Sequence, residues 1–323
     1  MVEFNRRESD KKPVPEVSIV IPVYKSATIL PHLIQQIDYA MNESGYAGNY
    51  EVLLVNDCSP DESWRVIETL CDQYAQIKGI NLMKNTGQHN AIMAGLNHAA
   101  GKVIVMMDDD LQHPPKYISH LVNKIREGYD VCYTKFRERK HSAWKVFCSK
   151  FTDKMAMILL DKPEGIYMSP FKAVSAVIKK EIIKYTGPYA YVDGLILMIS
   201  ANITSINIEH HKRFEGRGNY TFIKGVTLWF KMATSFSVVP LRIASFLGLL
   251  SAVCGFIFAI IMVIEKLTRD VPIIGWASLI VTILLMGGIQ LFAIGAIGEY
   301  LGRMYININK KPQFIVRSKK NIL

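Results

Sequence analysis

Several things are missing from this sequence. No Cys-x-x-Cys pair and no Cys/His spacing of a zinc site occurs. Cys58, Cys71, Cys132, Cys148 and Cys254 are odd in number and scattered over 323 residues, which excludes a disulfide scaffold and points to a reducing compartment. The opening stretch, MVEFNRRESDKKPVPE, holds no apolar run, so a cleaved leader is not expected and the bulk of the chain is expected in the cytoplasm. Charge is absent from Ile243 to Ile264, and acid is absent after Glu299.

What is present in excess is apolar. The chain is 50% hydrophobic with a mean hydropathy of +0.16, above the usage of a soluble domain, roughly 45–50% even with glycine counted. The excess lies between Ile243 and Gly298. Outside it 267 residues of ordinary composition remain, enough for one sizeable core, so disordered and collagen-like classes are excluded.

The stretch 243–264 is 22 residues without a charge, about 33 Å as a helix and long enough to cross a bilayer. A second uncharged stretch, Val271 to Gly298, carries Pro272 and Gly275 near its start, so its helix is expected to begin around Trp276. Beyond it Arg303, Lys310, Lys311, Arg317, Lys319 and Lys320 face the single acid Glu299. The positive-inside rule places such a segment in the cytoplasm. Two spans then return the chain to its starting side, giving a multi-pass inner-membrane protein with its large domain and both termini cytoplasmic. The same segment carries net +5 of the formal +10, so a nucleic-acid partner is not expected. The expected organisation is a charged tail over 1–14, a soluble domain over 15–219, an interfacial amphipathic segment over 220–240, spans over 241–266 and 273–298, and a basic tail over 299–323.

The soluble part reads as α/β. VSIVIPV (17–23), EVLLVN (51–56) and VIVMM (103–107) are continuous apolar strands of the kind covered on both faces. Helical patterns alternate with them at 27–41, 61–74 and 89–100, which implies a mostly parallel, Rossmann-like sheet with its ligands beyond the carboxyl ends of the strands. There stand Pro22 and Tyr24, then Asp57, then Asp108-Asp109-Asp110-Leu111-Gln112. Three successive aspartates after a buried strand repel one another unless a cation neutralises them, and oxygen ligands select a hard ion such as Mg²⁺ or Mn²⁺. A solvated acidic turn capping the next helix is the other reading of the triplet alone.

Taken together, VSIVIPVY (17–24), VNDCSPDES (55–63), NTGQHNAIMAGLNHAAG (85–101), DDDLQHPP (108–115), SFSVVPLRIASFLG (235–248) and GEYLGRMY (298–305) resemble the family 2 glycosyltransferases that load a sugar onto a polyprenyl phosphate. The resemblance runs from Val17 to Val316. It implies a GT-A fold, an inverting transfer, a nucleotide-sugar donor (a UDP-sugar first), an undecaprenyl-type lipid phosphate acceptor at the cytoplasmic leaflet, a divalent metal and a homo-oligomer. It places Pro22, Tyr24, Asp57, Gly87, Gln88 and Asp109 at the nucleotide, Asp108 and Asp110 at the metal with Gln112 as a further ligand, Arg137 and Arg213 at phosphates, and Arg213 with Tyr220 on an acceptor loop.

Three departures stand out against that resemblance. Lys25-Ser26 replaces an Asn-Glu pair that usually follows the tyrosine, Gly218 stands where a serine is common, and Pro170 replaces an aspartate before Phe171. Glu164 and Asp193 are the nearby carboxylates that could substitute. A non-catalytic membrane scaffold retaining the fold, and a polysaccharide synthase-like transferase, are the competing readings; the synthase motif Gln-x-x-Arg-Trp is absent.

Overall fold

The computed structural model describes residues 14–136, 163, 165–209, 239–268, 275–309 and 311–322. Arg137, Glu164, Arg213, Gly218, Tyr220 and the amphipathic segment before the first span lie outside the described residues. The chain divides into two compact units, one formed by residues 1–219 with 310–323 and the other by 220–309.

The first unit is built on strands β1 (Val17–Val23), β2 (Tyr50–Asn56), β3 (Ile77–Leu82), β4 (Val103–Met106), β5 (Val131–Phe136), β6 (Lys172–Ser175), β7 (Ile203–Ile208) and β8 (Val316–Lys320). Its helices are α1 (Leu30–Glu43), α2 (Ser63–Gln73), α3 (Gln88–His98), α4 (Ile118–Arg126), α5 (Ala176–Ile182) and α6 (Val192–Ile199). One eight-stranded sheet runs β7-β5-β6-β4-β1-β2-β3-β8. The pairs β1/β2, β1/β4, β2/β3 and β5/β7 are parallel, while β3/β8, β4/β6 and β5/β6 are antiparallel.

Every residue of β1 and β2 is buried, as continuous apolar runs demand when helices cover both faces. Helix α1 turns Leu30, Leu33, Ile34, Ile37 and Met41 inward at three- and four-residue spacing, with Pro31 in its first turn, where the missing N–H has no intrahelical use. The chain passes β1→β2→β3 on one side and then returns to place β4 on the other side of β1. The crevice between β1 and β4 is therefore the switch point of the sheet.

Pro22 ends the β1/β4 pairing. Val20 O accepts from Met107 N at 3.2 Å, and the next donor on that side of β1 is residue 22, a proline with no N–H. The β1/β4 register ends at Val20 opposite Met106, while β1/β2 continues to Val23 opposite Asn56. Beyond Val20 the two loops can separate.

The second unit holds α7 (Val239–Thr268) and α8 (Trp276–Ile308). Leu241–Glu265 and Leu279–Ile308, of mean hydropathy 2.8 and 2.3, are long and apolar enough to cross a membrane. Neither stretch buries its apolar window within the protein, unlike the core helix of a soluble domain. Glu299 accepts from Arg303 one turn on, at 3.0 Å.

Residues 299–323 are not one basic tail. Helix α8 continues ten residues past Gly298, and Val316–Lys320 then forms the edge strand β8 beside β3. Lys320 pairs with Asp72 at 2.8 Å, and Asn321 Nδ2 donates to Cys71 O and Ile77 O. Part of the positive charge therefore lies on an exposed sheet edge, where lysine discourages pairing with another chain.

Candidate active site

The loops after β1, β2, β3 and β4 meet at the carboxyl edge of the sheet, as the strand runs required. Their backbones are unusual. Among the described residues the non-glycine positive φ values are at Lys25 (59°), Cys58 (51°), Leu111 (58°) and Asn321 (60°). The first three follow β1, β2 and β4. Left-handed backbone at side-chain-bearing residues costs about 1 kcal/mol or more each and collects at functional sites.

Side-chain oxygens hold these loops together. Ser59 Oγ accepts from Lys25 N at 2.7 Å, Ser63 Oγ from Ser26 N at 3.1 Å, and Asp61 Oδ2 from Ala27 N at 3.3 Å. Asp57 is buried, and its carboxylate is engaged: Oδ1 accepts from Thr86 N (2.7 Å) and Thr86 Oγ1 (3.1 Å), and Oδ2 from Gly87 N (2.9 Å). Within the protein Asp57 thus fixes the turn that starts α3. Gly87 sits there at φ 87°, a conformation a side chain would resist.

The three aspartates do different things. Asp108 Oδ1 accepts from Gln88 Nε2 at 2.6 Å, which places the first residue of α3 against the end of β4. Asp110 Oδ1 accepts from Gln112 N at 3.1 Å, closing the local turn. Asp109, at the middle position, reaches across the switch point: its Oδ2 accepts from Ser26 Oγ at 2.6 Å and Tyr24 N at 3.2 Å. Burial, with the neighbouring Asp110 charge adding to it, holds the Asp109 carboxyl above the usual carboxylate range against the lowering effect of those two bonds. The Ser26 departure thus has a physical account, since the hydroxyl is the partner that makes a carboxylate at 109 tolerable. Tyr24, 46% exposed, extends from the same loop with Lys25 Nζ 5.6 Å from its ring centre.

Among the described residues no cluster of three or more His, Cys, Asp or Glu side chains converges as a metal cage. Two half-buried carboxylates, Asp108 and Asp110, remain, with Gln112 close in sequence. That donor set is all hard oxygen and incomplete, and it fits an ion that takes its other ligands from substrate phosphates and water. Asp109 does not belong to the set, because its carboxylate is turned to Ser26.

Asp193 is not available to replace the acid missing at Pro170. Its Oδ1 is ion-paired with Lys172 Nζ and accepts from Tyr133 Oη at 2.9 Å, with Lys172 only 2% exposed. Burial raises the Tyr133 phenol well above its ordinary range, reinforced by the Asp193 charge. The group is a closed structural ion pair that fastens α6 to the strands beside the site. Ser169 is likewise enclosed, accepting from Thr134 Oγ1 at 2.9 Å.

The structure therefore puts Pro22 at the end of β1, Gln88 at the start of α3, and Tyr24, Asp57, Gly87, Asp108, Asp109, Asp110 and Gln112 on the loops of the same sheet edge. Residues that sequence reasoning passed over are Thr86, Ser59, Ser63 and Asp61, which knit the loops, and Asn90 and Gln313, taken up below. Ser59, Asp61 and Ser63 stood inside the motif VNDCSPDES. Gln313 carried no signal.

Strand order, the β1/β4 switch point and the carboxylates that follow β4 define an α/β domain of GT-A-like fold. Residues 18–182 match the family described as Glycosyl transferase family 2, and the chain belongs to that family. It is 31% identical over 305 residues to an uncharacterized glycosyltransferase, sll0501, of Synechocystis sp., covering 93% of this chain and 94% of the relative. Among solved structures, glucosyl-3-phosphoglycerate synthase from Mycobacterium tuberculosis matches with a TM-score of 0.49 at 14% identity, over 70% of this chain and 79% of that one. The mannosyltransferase PcManGT from Pyrobaculum calidifontis, in complex with GDP-Man and Mn²⁺, matches with a TM-score of 0.47 at 13% identity, over 92% and 88%.

Proposed function

We propose that this glycosyltransferase moves a sugar from a nucleotide-sugar donor, a UDP-sugar first, to a polyprenyl phosphate at the cytoplasmic leaflet of the inner membrane. The observation that carries the acceptor is the pair of long apolar helices that follows a family 2 catalytic unit. A soluble acceptor needs no such helices. A polyprenol cannot leave the bilayer cheaply, each CH₂ being worth about 0.8 kcal/mol, so the enzyme has to go to it. The chain between Ile308 and Val316 is too short to recross a bilayer core of about 30 Å. Together with the basic residues after Glu299, that supports the reading in which the catalytic unit and both termini are cytoplasmic. Assembly of several copies through the helices is part of the same proposal.

The chemistry asks little of a base. A lipid monophosphate is largely a dianion at neutral pH, so its oxygen is already a nucleophile and the loss of a carboxylate at Pro170 is tolerable. What the reaction requires is alignment for in-line attack on the anomeric carbon, with inversion, and relief of repulsion between two phosphate-bearing substrates. Tyr24 and the strained loop after β1 border the base and ribose. Asp109, tied to Ser26, keeps the β1 and β4 loops in register. Gln88 orients Asp108. Asp108 and Asp110, with Gln112, would hold Mg²⁺ or Mn²⁺, which when bound would supply positive charge to the departing nucleoside diphosphate. Arg137 and Arg213 are assigned to the phosphates.

The decisive experiment incubates membranes containing the full chain with undecaprenyl phosphate and a panel of nucleotide sugars, and reads glycosyl phospholipid by mass spectrometry. One new glycolipid, made only with divalent metal, is the expected result. No product with any donor, together with no binding of UDP and Mn²⁺, overturns the enzyme reading in favour of a scaffold.

A further inference from the structure

Two consecutive main-chain carbonyls in the turn between α5 and α6 are each held by a side-chain amide from a distant part of the chain. Asn90 Nδ2 donates to Pro188 O at 3.0 Å and also to Thr86 O at 3.0 Å. Gln313 Nε2 donates to Gly187 O at 2.9 Å, and Gln313 is only 8% exposed. Thr86 in turn gives its N–H to Asp57, and Asn90 lies two residues beyond Gln88, the partner of Asp108. The 186–188 turn is thus one side chain away from the loop that carries Thr86 and Gly87.

The surroundings make these bonds count. Just past the turn, Tyr191 packs edge-on against His89 with ring centres 5.0 Å apart, and Asp193 is locked by Lys172. Among the described residues His89 Nδ1 and Asn90 Oδ1 are buried with no protein partner. Enclosing such atoms opposes closure of the turn, so the turn depends on the amides that hold it.

Gln313 precedes the C-terminal strand. Ile315 O accepts from Met83 N at 2.9 Å, at the start of the loop leading to Thr86. The strand itself is secured without Gln313, by its register with β3 from Gly79 to Leu82, by Lys320 with Asp72 and by Asn321. The Gln313 bond therefore adds little to the strand and acts on the turn.

We propose that Gln313 and Asn90 are positioning residues that fix the 186–188 turn as a wall of the sugar-transfer site, which makes segment 311–322 a working part of the catalytic unit. The proposal rests on the glycosyltransferase reading of the neighbouring carboxylates. A buried amide bond to a carbonyl is worth enough that its loss opens the turn about tenfold more often.

The test uses the full chain in nanodiscs. Hydrogen exchange is followed in peptides covering 183–191 and 316–322, UDP affinity is measured with Mn²⁺, and kcat and KM are read from UDP release during sugar transfer. For Gln313→Ala the expected result is about tenfold faster exchange in 183–191, unchanged exchange in 316–322, a kcat lowered about tenfold and a UDP Kd within twofold of the parent. Gln313→Glu keeps the volume and loses the donor, and it carries the same test should the alanine variant fold poorly. Unchanged exchange in 183–191 overturns the proposal, as does faster exchange with unaltered kcat, or loss of protection in 316–322 to the same degree. A parent chain that binds UDP but transfers no sugar to undecaprenyl phosphate overturns the lipid acceptor instead, and the exchange data still decide whether Gln313 fixes the turn.

Discussion

The two ends of the central sheet handle polar groups in opposite ways. At the amino end, Glu51 is buried in β2 and every neighbour is a partner: Ser18 Oγ and Ala100 N donate to it (the latter at 2.7 Å), Lys78 pairs with it, and Gly101 N donates to Ser18 Oγ at 2.7 Å. The fit is tight enough that a Cβ on Gly101 would meet Ser18 N at 2.6 Å. At the carboxyl end, three residues take left-handed backbone, three aspartates stand in a row and two buried polar atoms have no protein partner. A fully satisfied buried network specifies a fold. Strain and unsatisfied buried polar atoms persist only where something else uses them. One sheet therefore separates stability from chemistry along the direction of its strands.

Substitutions at the two ends should separate the same way. Asp110→Asn is expected to lower transfer by roughly 100-fold or more at saturating Mg²⁺ or Mn²⁺, with the thermal midpoint unchanged or raised because one of three adjacent charges is gone. Initial rates and a melting curve on the same preparation check both halves, and full activity would remove the metal-centred mechanism. Glu51→Ala is the counterpart. It leaves Lys78 without its partner and strands Ala100 N, at a cost of about 3 kcal/mol of stability, while kcat per folded molecule stays within about twofold. A large loss of kcat with stability intact would erase the distinction between the ends.

Much of this division was legible in the residues. β1, β2 and β4 announce themselves as continuous apolar runs because both their faces are covered, and Asp108 and Asp110 follow from their place after β4. β3 was not legible: IKGINL is interrupted by Lys78 and Gly79, and Lys78 is there to pair with Glu51. β8, VRSKK, looks like solvated tail because an edge strand wants charge. β6 opens on Lys172, a buried lysine whose partner Asp193 lies 21 residues away. Gln313 is 126 residues from Gly187, and no local pattern records a single long-range amide bond. The resemblance puts the middle aspartate at the nucleotide, but its bond to Ser26 depends on β1 and β4 being neighbours.

That bond offers a finer break within the carboxyl end. Ser26→Ala removes the hydroxyl from Asp109 while leaving Asp108 and Asp110 untouched. About 1 kcal/mol of hydrogen bonding is lost, so the KM for the nucleotide sugar should rise about fivefold with kcat little changed, because the β1 and β4 loops hold the nucleotide less well. A lowered kcat at constant KM would instead move Asp109 into the transfer step. The reciprocal variant Asp109→Ala should raise KM at least as much as Ser26→Ala, since it removes the acceptor of the same bond and of the Tyr24 N–H as well.

The smallest effect concerns pH. Burial pulls the His89 imidazole down to about 4 from its ordinary value near 6.5. The folded chain keeps it neutral where the unfolded chain is already protonated, so its contribution is complete above about pH 6.5 and is lost as the pH falls toward 4. The thermal midpoint should therefore decline over that window. His89→Gln should flatten the decline, because glutamine cannot take up the proton. An unaltered slope in His89→Gln would assign the acid sensitivity to other groups and remove the imidazole as a distinguishing mark of the carboxyl end.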